Sequence, residues 1–119
     1  MVTQAQAILN EHMTEDECQA IIVGYAKALG YISYHIPDSR MASCAGYPDL
    51  MLCREENNKI GLLYGKAMPR IIVIEVKKQT GRVSPMQHVW LNTFRACGIE
   101  THVLRPSDLD GVEAMLKAS

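Results

Sequence analysis

The stretch Ile71-Ile72-Val73-Ile74-Glu75-Val76-Lys77-Lys78 decides the fold. It opens as a continuous β-branched run, the pattern of a strand buried on both faces of a sheet. A carboxylate and an ammonium then follow two positions apart, with no turn residue between. Side chains alternate faces along a strand, so Glu75 and Lys77 point the same way. Upstream, Gly46-Tyr47-Pro48-Asp49 leads into a second apolar run, Leu50-Met51-Leu52-Cys53. An acid at the mouth of one strand and Glu-x-Lys at the end of the next can converge on one point. Divalent-cation and phosphate chemistry asks for that convergence. Carboxylates hold the cation, and the ammonium supports an attacking water or a developing charge.

The 119 residues fit a single domain, 1–119, with room for one core. A hydrophobic fraction of 48% and a charged fraction of 21% exclude a disordered chain. The formal net charge of −1 gives no general attraction to polyanions, so any nucleic-acid contact needs a local basic surface. Lys59, Lys66, Arg70, Lys77, Lys78 and Arg82 supply basic residues in the middle of the chain; a solvated charged surface explains them equally well. Cys18, Cys44, Cys53 and Cys97 show no CxxC pairing and read as buried free thiols of a reducing compartment. The N-terminus lacks the basic start and apolar centre of a signal peptide, and no apolar run approaches a membrane span. A cytoplasmic protein is expected.

Residues 1–13 read as an N-terminal arm. Thr14 caps a helix with acids in its first turn, and Cys18, Ile21, Ile22, Tyr25 and Leu29 recur at helical spacing until Gly30. At roughly 100° per residue, Glu15 lies nearer that apolar stripe than Glu17 does. Tyr31 to Ile36 alternates like a strand, and residues 37–48 form a loop. Residues 55–70 read as an inserted hairpin or loop, with a possible short strand at 60–64. After the central strand, Ser84-Pro85-Met86-Gln87 is a helix start: Ser at the cap, Pro at the first helical position, Gln closing a capping box. Met86, Trp90, Phe94 and Cys97 form its expected apolar stripe, with Leu91 beside it. A strand from Ile99 to Leu104 and a last helix capped by Ser107 complete the chain. The order predicts an α/β domain with a central mixed sheet flanked by helices, αβββαβ followed by a C-terminal helix.

Each chemical candidate has a plainer alternative. Asp49 after Pro48 also suits a turn acid. Glu75, at the end of a buried strand, needs a partner or a cation; Lys77 or Lys78 would make a structural ion pair of it. Gln87 shares a helix face with Trp90, Leu91 and Phe94, so it points toward the sheet even if it serves as a cap alone. His35 is a candidate DNA contact or proton carrier, with a satisfied half-buried histidine as the plainer alternative; Ser39, Arg40 and Ser43 could meet phosphates or serve as ordinary loop residues.

These residues, in this order, resemble the VRR-NUC (virus-type replication-repair nuclease) domain of the PD-(D/E)XK nuclease superfamily. The resemblance is carried by Thr14-Glu15 with Gln19, Tyr34-His35 with Asp38-Ser39, Gly46-Tyr47-Pro48-Asp49-Leu50 and Ile74-Glu75-Val76-Lys77. It continues through Gly81-Arg82-Val83-Ser84-Pro85 with Gln87, Trp90-Leu91, Gly98 and Arg105-Pro106-Ser107-Asp108. It implies a restriction-endonuclease-like core and a metal-dependent phosphodiesterase of the stand-alone type found in phages and bacteria. Asp49, Glu75 and the backbone carbonyl of Val76 would hold Mg²⁺ or Mn²⁺. Lys77 would orient or activate the attacking water, Glu15 would complete the acidic cluster and Gln87 would brace the site. Lys66, Lys78 and Arg82 join His35, Ser39, Arg40 and Ser43 as expected DNA contacts. A homodimer cutting branched DNA, such as Holliday junctions, is the implied activity. A nuclease for flaps or single strands, or a non-catalytic DNA-binding module of this fold, are the alternatives.

Overall fold

The computed structural model describes residues 2–35, 45–55 and 69–118. Ser39, Arg40, Ser43, Lys66, Cys44 and the expected short strand at 60–64 lie outside the described residues. Within them the chain runs α1 (Gln4–His12), α2 (Glu15–Ala28), β1 (Ile32–His35), β2 (Leu50–Arg54), β3 (Arg70–Val76), α3 (Pro85–Ala96), β4 (Glu100–Leu104), a 3₁₀ turn (Pro106–Asp108) and α4 (Leu109–Lys117).

The four strands form one mixed sheet in the order β1-β2-β3-β4. β1 and β2, then β2 and β3, pair antiparallel, while β4 lies parallel to β3. A parallel neighbour needs a crossover, and α3 supplies it. This is the expected α/β architecture, consistent with a restriction-endonuclease-like fold. None of the helices among the described residues is long and apolar enough to cross a membrane.

Strand alternation divides the sheet into two faces. On one, Leu50, Leu52, Ile72, Ile74, Val76 and Leu104 pack with Cys18, Ile22, Ala26 and Leu29 from α2 and its end, and with Val112 and Leu116 of α4. Fully burying such an aliphatic side chain contributes about 1.5–3 kcal/mol, which makes this layer the main source of stability. On the other face Val73 and Glu75 are buried, and Leu91 of α3 is buried outside the main cluster.

The end of α4 is held by side chains rather than by a glycine cap. The Tyr31 hydroxyl and Arg54 Nη1 both donate to the Leu116 carbonyl, at 2.7 and 3.1 Å. Arg70 Nη1 donates to the carbonyls of Met115 and Ala118 at 2.9 and 2.8 Å. Its other face grips both carboxylate oxygens of Glu100 at 2.8 and 2.7 Å. Cations at the last carbonyls of a helix satisfy orphan acceptors and complement its dipole.

Several local expectations change. In α2 the buried stripe is Cys18, Ile22 and Ala26, whereas Ile21 and Tyr25 face outward, because α2 meets the sheet on the side set by Cys18. In α3 the fully buried residue is Leu91; Met86 and Cys97 are exposed, so the stripe is rotated toward Gln87 and Leu91. Cys97 is therefore a surface thiol, and Cys53 is half-buried rather than fully buried. The central strand is open at its start, where Ile71 is exposed, and buried from Ile72 onward. Ser107 does not cap α4: it exchanges two 3.0 Å hydrogen bonds with the Gln79 amide, tying the turn after β3 to the turn after β4.

Candidate active site

The β2–β3 register pairs Leu50 with Ile74, and one step further along it sets Asp49 opposite Glu75 on the face turned toward α3. Asp49 does not dangle from its loop. Its Oδ2 accepts the Val76 N–H at 3.0 Å, extending the ladder by a side chain where β2 begins. A residue's N–H and C=O leave a strand toward the same edge, so the Val76 carbonyl also faces the Asp49 side. The following N–H, that of Lys77, points the other way and donates to the Leu104 carbonyl at 3.0 Å.

The loop before Asp49 is clamped against α3. Gly46 has φ +82°, and a Cβ there would lie 2.7 Å from the Met86 carbonyl carbon and 2.9 Å from the Gln87 nitrogen. Both the left-handed conformation and the close approach require glycine. Tyr47 packs edge-on against Trp90 and Phe94, with ring centroids 5.0 and 6.1 Å away. The indole N–H of Trp90 donates to the Ala45 carbonyl at 3.1 Å, and Pro48 is fully buried. The Gly-Tyr-Pro-Asp run thus fixes the height of Asp49 above the sheet.

Glu75 is 1% exposed. Its Oε1 accepts from Gln87 Nε2 at 2.7 Å and lies 3.7 Å from the Lys77 ammonium. Its Oε2 is buried and, with both carboxylates ionised, has no hydrogen-bond partner. Burial pushes the Glu75 carboxyl up to about 8, reinforced by the negative charge of Asp49, opposed by Lys77, and raised further by hydrogen bonding to Asp49 and by Glu15. An ordinary structural ion pair would instead hold the acid low. Here Lys77 offsets part of the cost and leaves the remainder standing.

Gln87 connects this acid to the helix start. Its Oε1 accepts from the Ser84 N–H at 2.8 Å, while its own N–H donates to Ser84 Oγ at 3.2 Å. With the amide oxygen committed to the capping box, the amide nitrogen must face Glu75. The cap and the brace are one side chain.

Glu15 stands half-buried in the first turn of α2, which packs on the opposite face of the sheet, and its charge reaches Glu75. Glu17 is engaged elsewhere, since its carboxylate accepts the Thr14 N–H at 3.0 Å and is held below its usual range by that cap. Lys78 and Arg82 are exposed on the connection between β3 and α3, which Arg105 secures by donating to the Gly81 carbonyl at 2.8 Å. His35 pairs in register with Leu50 and so lies on the α2 side, in a groove with Asp16 and Gln19, away from the Glu75 face. Its neighbour Tyr34, part of the sequence that carries the family resemblance, was not among the expected site residues. It lines a concavity with Asp49, Tyr47 and Met51; alternation along β1 sets it on the face opposite His35, but nothing local in the sequence says which face meets the acids.

Among the described residues no group of three or more His, Cys, Asp or Glu side chains is arranged to hold a metal ion. Two adjacent carboxylates and a carbonyl edge nonetheless suit Mg²⁺, which binds through one or two carboxylates and keeps waters and substrate oxygens as its other ligands. The orphaned Glu75 Oε2 is the oxygen such a cation would satisfy.

A search of curated proteins and a search of solved structures each give no match. The family model for the VRR-NUC domain, in contrast, matches residues 2–108, from before α1 to the turn that precedes α4. With nearly the whole chain covered, this protein belongs to the VRR-NUC family of nucleases.

Proposed function

We propose that the protein is a divalent-cation-dependent deoxyribonuclease that hydrolyses phosphodiester bonds in branched DNA, working as a homodimer. The observation that carries this reading is Glu75: a carboxylate buried beside Asp49, raised well above its ordinary value, with one oxygen unsatisfied. A folded protein tolerates that arrangement at a cost of several kcal/mol unless a cation relieves it.

In the proposed reaction Asp49, Glu75 and the Val76 carbonyl hold Mg²⁺ or Mn²⁺, with Glu15 contributing negative charge from the second layer. The cation, when bound, lowers the charge on the phosphate and favours deprotonation of a nearby water. Lys77, on the same face as Glu75, positions the attacking water and stabilises the extra negative charge on the phosphorus oxygens. The water gives up a proton to the solvent as its oxygen bonds to phosphorus, one phosphate ester bond breaks, and the leaving oxygen takes up a proton from the solvent. Gln87 keeps Glu75 from rotating out of place. Lys78 and Arg82, together with Ser39, Arg40, Ser43 and Lys66, would meet the flanking phosphates. His35 would meet DNA along the far edge. Paired cuts across a junction need two sites related by a twofold axis, which a C2 homodimer provides.

The test is cleavage of labelled four-way junction, flap, linear duplex and single-stranded DNA with Mg²⁺, Mn²⁺ or EDTA, beside Glu75→Gln. Paired symmetric cuts in the junction, abolished by EDTA and by the variant, are expected. Cleavage that survives both would refute the cation mechanism. Preference for flaps or single strands would reassign the substrate, and binding without cleavage in any metal would reassign the chain to a DNA-binding module.

A further inference from the structure

The face that carries Asp49 and Glu75 continues outward over β2 to the edge strand β1, and there it is open. Ile32 is 74% exposed, Tyr34 67% and Ile71 47%. Register places Tyr34 beside Met51, and Met51 beside Val73, so the Tyr34 ring stands on the same face as the acidic pair. Tyr34, Tyr47, Asp49 and Met51 line one concavity. The two tyrosines differ in freedom. Tyr47 is fixed edge-on by Trp90 and Phe94, whereas no ring contact among the described residues engages Tyr34.

We infer that the Tyr34 ring is a stacking platform for the base of an unpaired nucleotide adjacent to the cleaved phosphodiester. The inference rests on the nuclease reading above and names the substrate feature that its site selects. A phosphate brought to Asp49 and Glu75 sets the neighbouring base near the concavity that Asp49 shares with Tyr34. In a continuous duplex the faces of the bases are hidden in the stack. At a branch point, flap or gap one base is free to lie on an aromatic face. A largely exposed aromatic ring at the edge of a sheet, beside the acid proposed to hold the cation, suits that contact and favours no particular base. Tyr34 is therefore a positioning residue that selects for unpaired structure rather than for sequence.

The experiment compares wild type with Tyr34→Phe, Tyr34→Trp and Tyr34→Ala on junction or flap substrates carrying 2-aminopurine as the unpaired nucleotide. Melting curves check that each variant folds, as an exposed site should permit. Wild type, Phe and Trp should quench 2-aminopurine emission on binding in Ca²⁺. Tyr34→Ala should lose the quench and raise KM about tenfold in Mg²⁺, with kcat within about twofold, the scale expected for one lost base–aromatic stack. An abasic site at the same position should erase the difference between Tyr34→Ala and wild type. Equal quench and equal KM for Tyr34→Ala and wild type would overturn the inference, and so would a loss of equal size on the abasic substrate. A lowered sedimentation coefficient for Tyr34→Ala with the quench retained would assign the ring to a contact between copies of the chain and overturn it too. Absence of cleavage by wild type on every substrate would remove both this inference and the nuclease reading. Cleavage indifferent to Tyr34→Ala would remove this one alone.

Discussion

Replacing Glu75 by Gln should stabilise the metal-free protein at neutral pH while abolishing its activity. The Glu75 carboxyl sits at about 8 in the folded chain, against an ordinary 4.5. A carboxyl raised on folding contributes its full stability below the unfolded value and loses it as pH rises through the folded one. Between pH 4.5 and 8 the unfolded chain has released a proton that the native chain still holds. At about 1.4 kcal/mol per pH unit, native stability falls by roughly 3 kcal/mol at pH 7 and about 5 kcal/mol above pH 8. Glutamine keeps an oxygen for the Gln87 amide and does not titrate. In EDTA, thermal melts from pH 4.5 to 8.5 should therefore show wild type losing on the order of 10 °C near pH 7. Glu75→Gln should stay flat and cross above it. Mg²⁺ at pH 8 should raise the wild-type melting temperature and leave the variant unchanged. Superimposable melting profiles in EDTA would refute the reasoning, since they would mean that Glu75 finds a compensating partner in the native state.

Asp49→Asn keeps an acceptor for the Val76 N–H, so the fold should hold within about 1 kcal/mol by urea titration, while Mg²⁺ affinity measured calorimetrically drops at least tenfold and cleavage is lost. Gly46→Ala forces a side chain into the left-handed region and against the start of α3; destabilisation of about 2–4 kcal/mol is expected in chemical denaturation, with reduced kcat in the fraction that folds. Arg70→Met leaves Glu100 without its bidentate partner and removes the Arg70 donor from the carbonyls of Met115 and Ala118. It should cost about 3–5 kcal/mol, and hydrogen exchange should show α4 opening before the sheet.

Much of the site was legible because its parts are short-range. The β-branched run through Val76 dictates a buried strand, and alternation alone puts Glu75 and Lys77 on one face. Ser84, Pro85 and Gln87 announce the start of α3 with local hydrogen-bonding rules. Gly46 lay in the expected loop before Asp49, but its closeness to Met86 and Gln87 is a contact across 40 residues that no local pattern carries. The same holds for Arg54 and Arg70. No local pattern marks them, yet they hold the end of α4 because β2, β3 and the last helix meet there. The stripes of α2 and α3 were rotated from expectation because helical periodicity gives an apolar arc, and only the partner surface decides which part of it is pressed inward. Tyr34 was overlooked for a related reason: a strand pattern shows which residues share a face, but not which face meets the acids.

The double engagement of Gln87 has a consequence for how substitutions at that position are to be read. A capping box accepts glutamate as readily as glutamine. The neighbouring Glu75 does not once it is ionised to hold a cation, since a second carboxylate 2.7 Å from its oxygen would then face it with no proton between them. Helix stability and carboxylate alignment thus place different demands on one side chain, and the amide satisfies both. Gln87→Glu separates them: the helix start survives while the acid it steadied is driven away. Loss of activity at position 87 with an unchanged melting temperature would accordingly measure alignment, free of any contribution from folding.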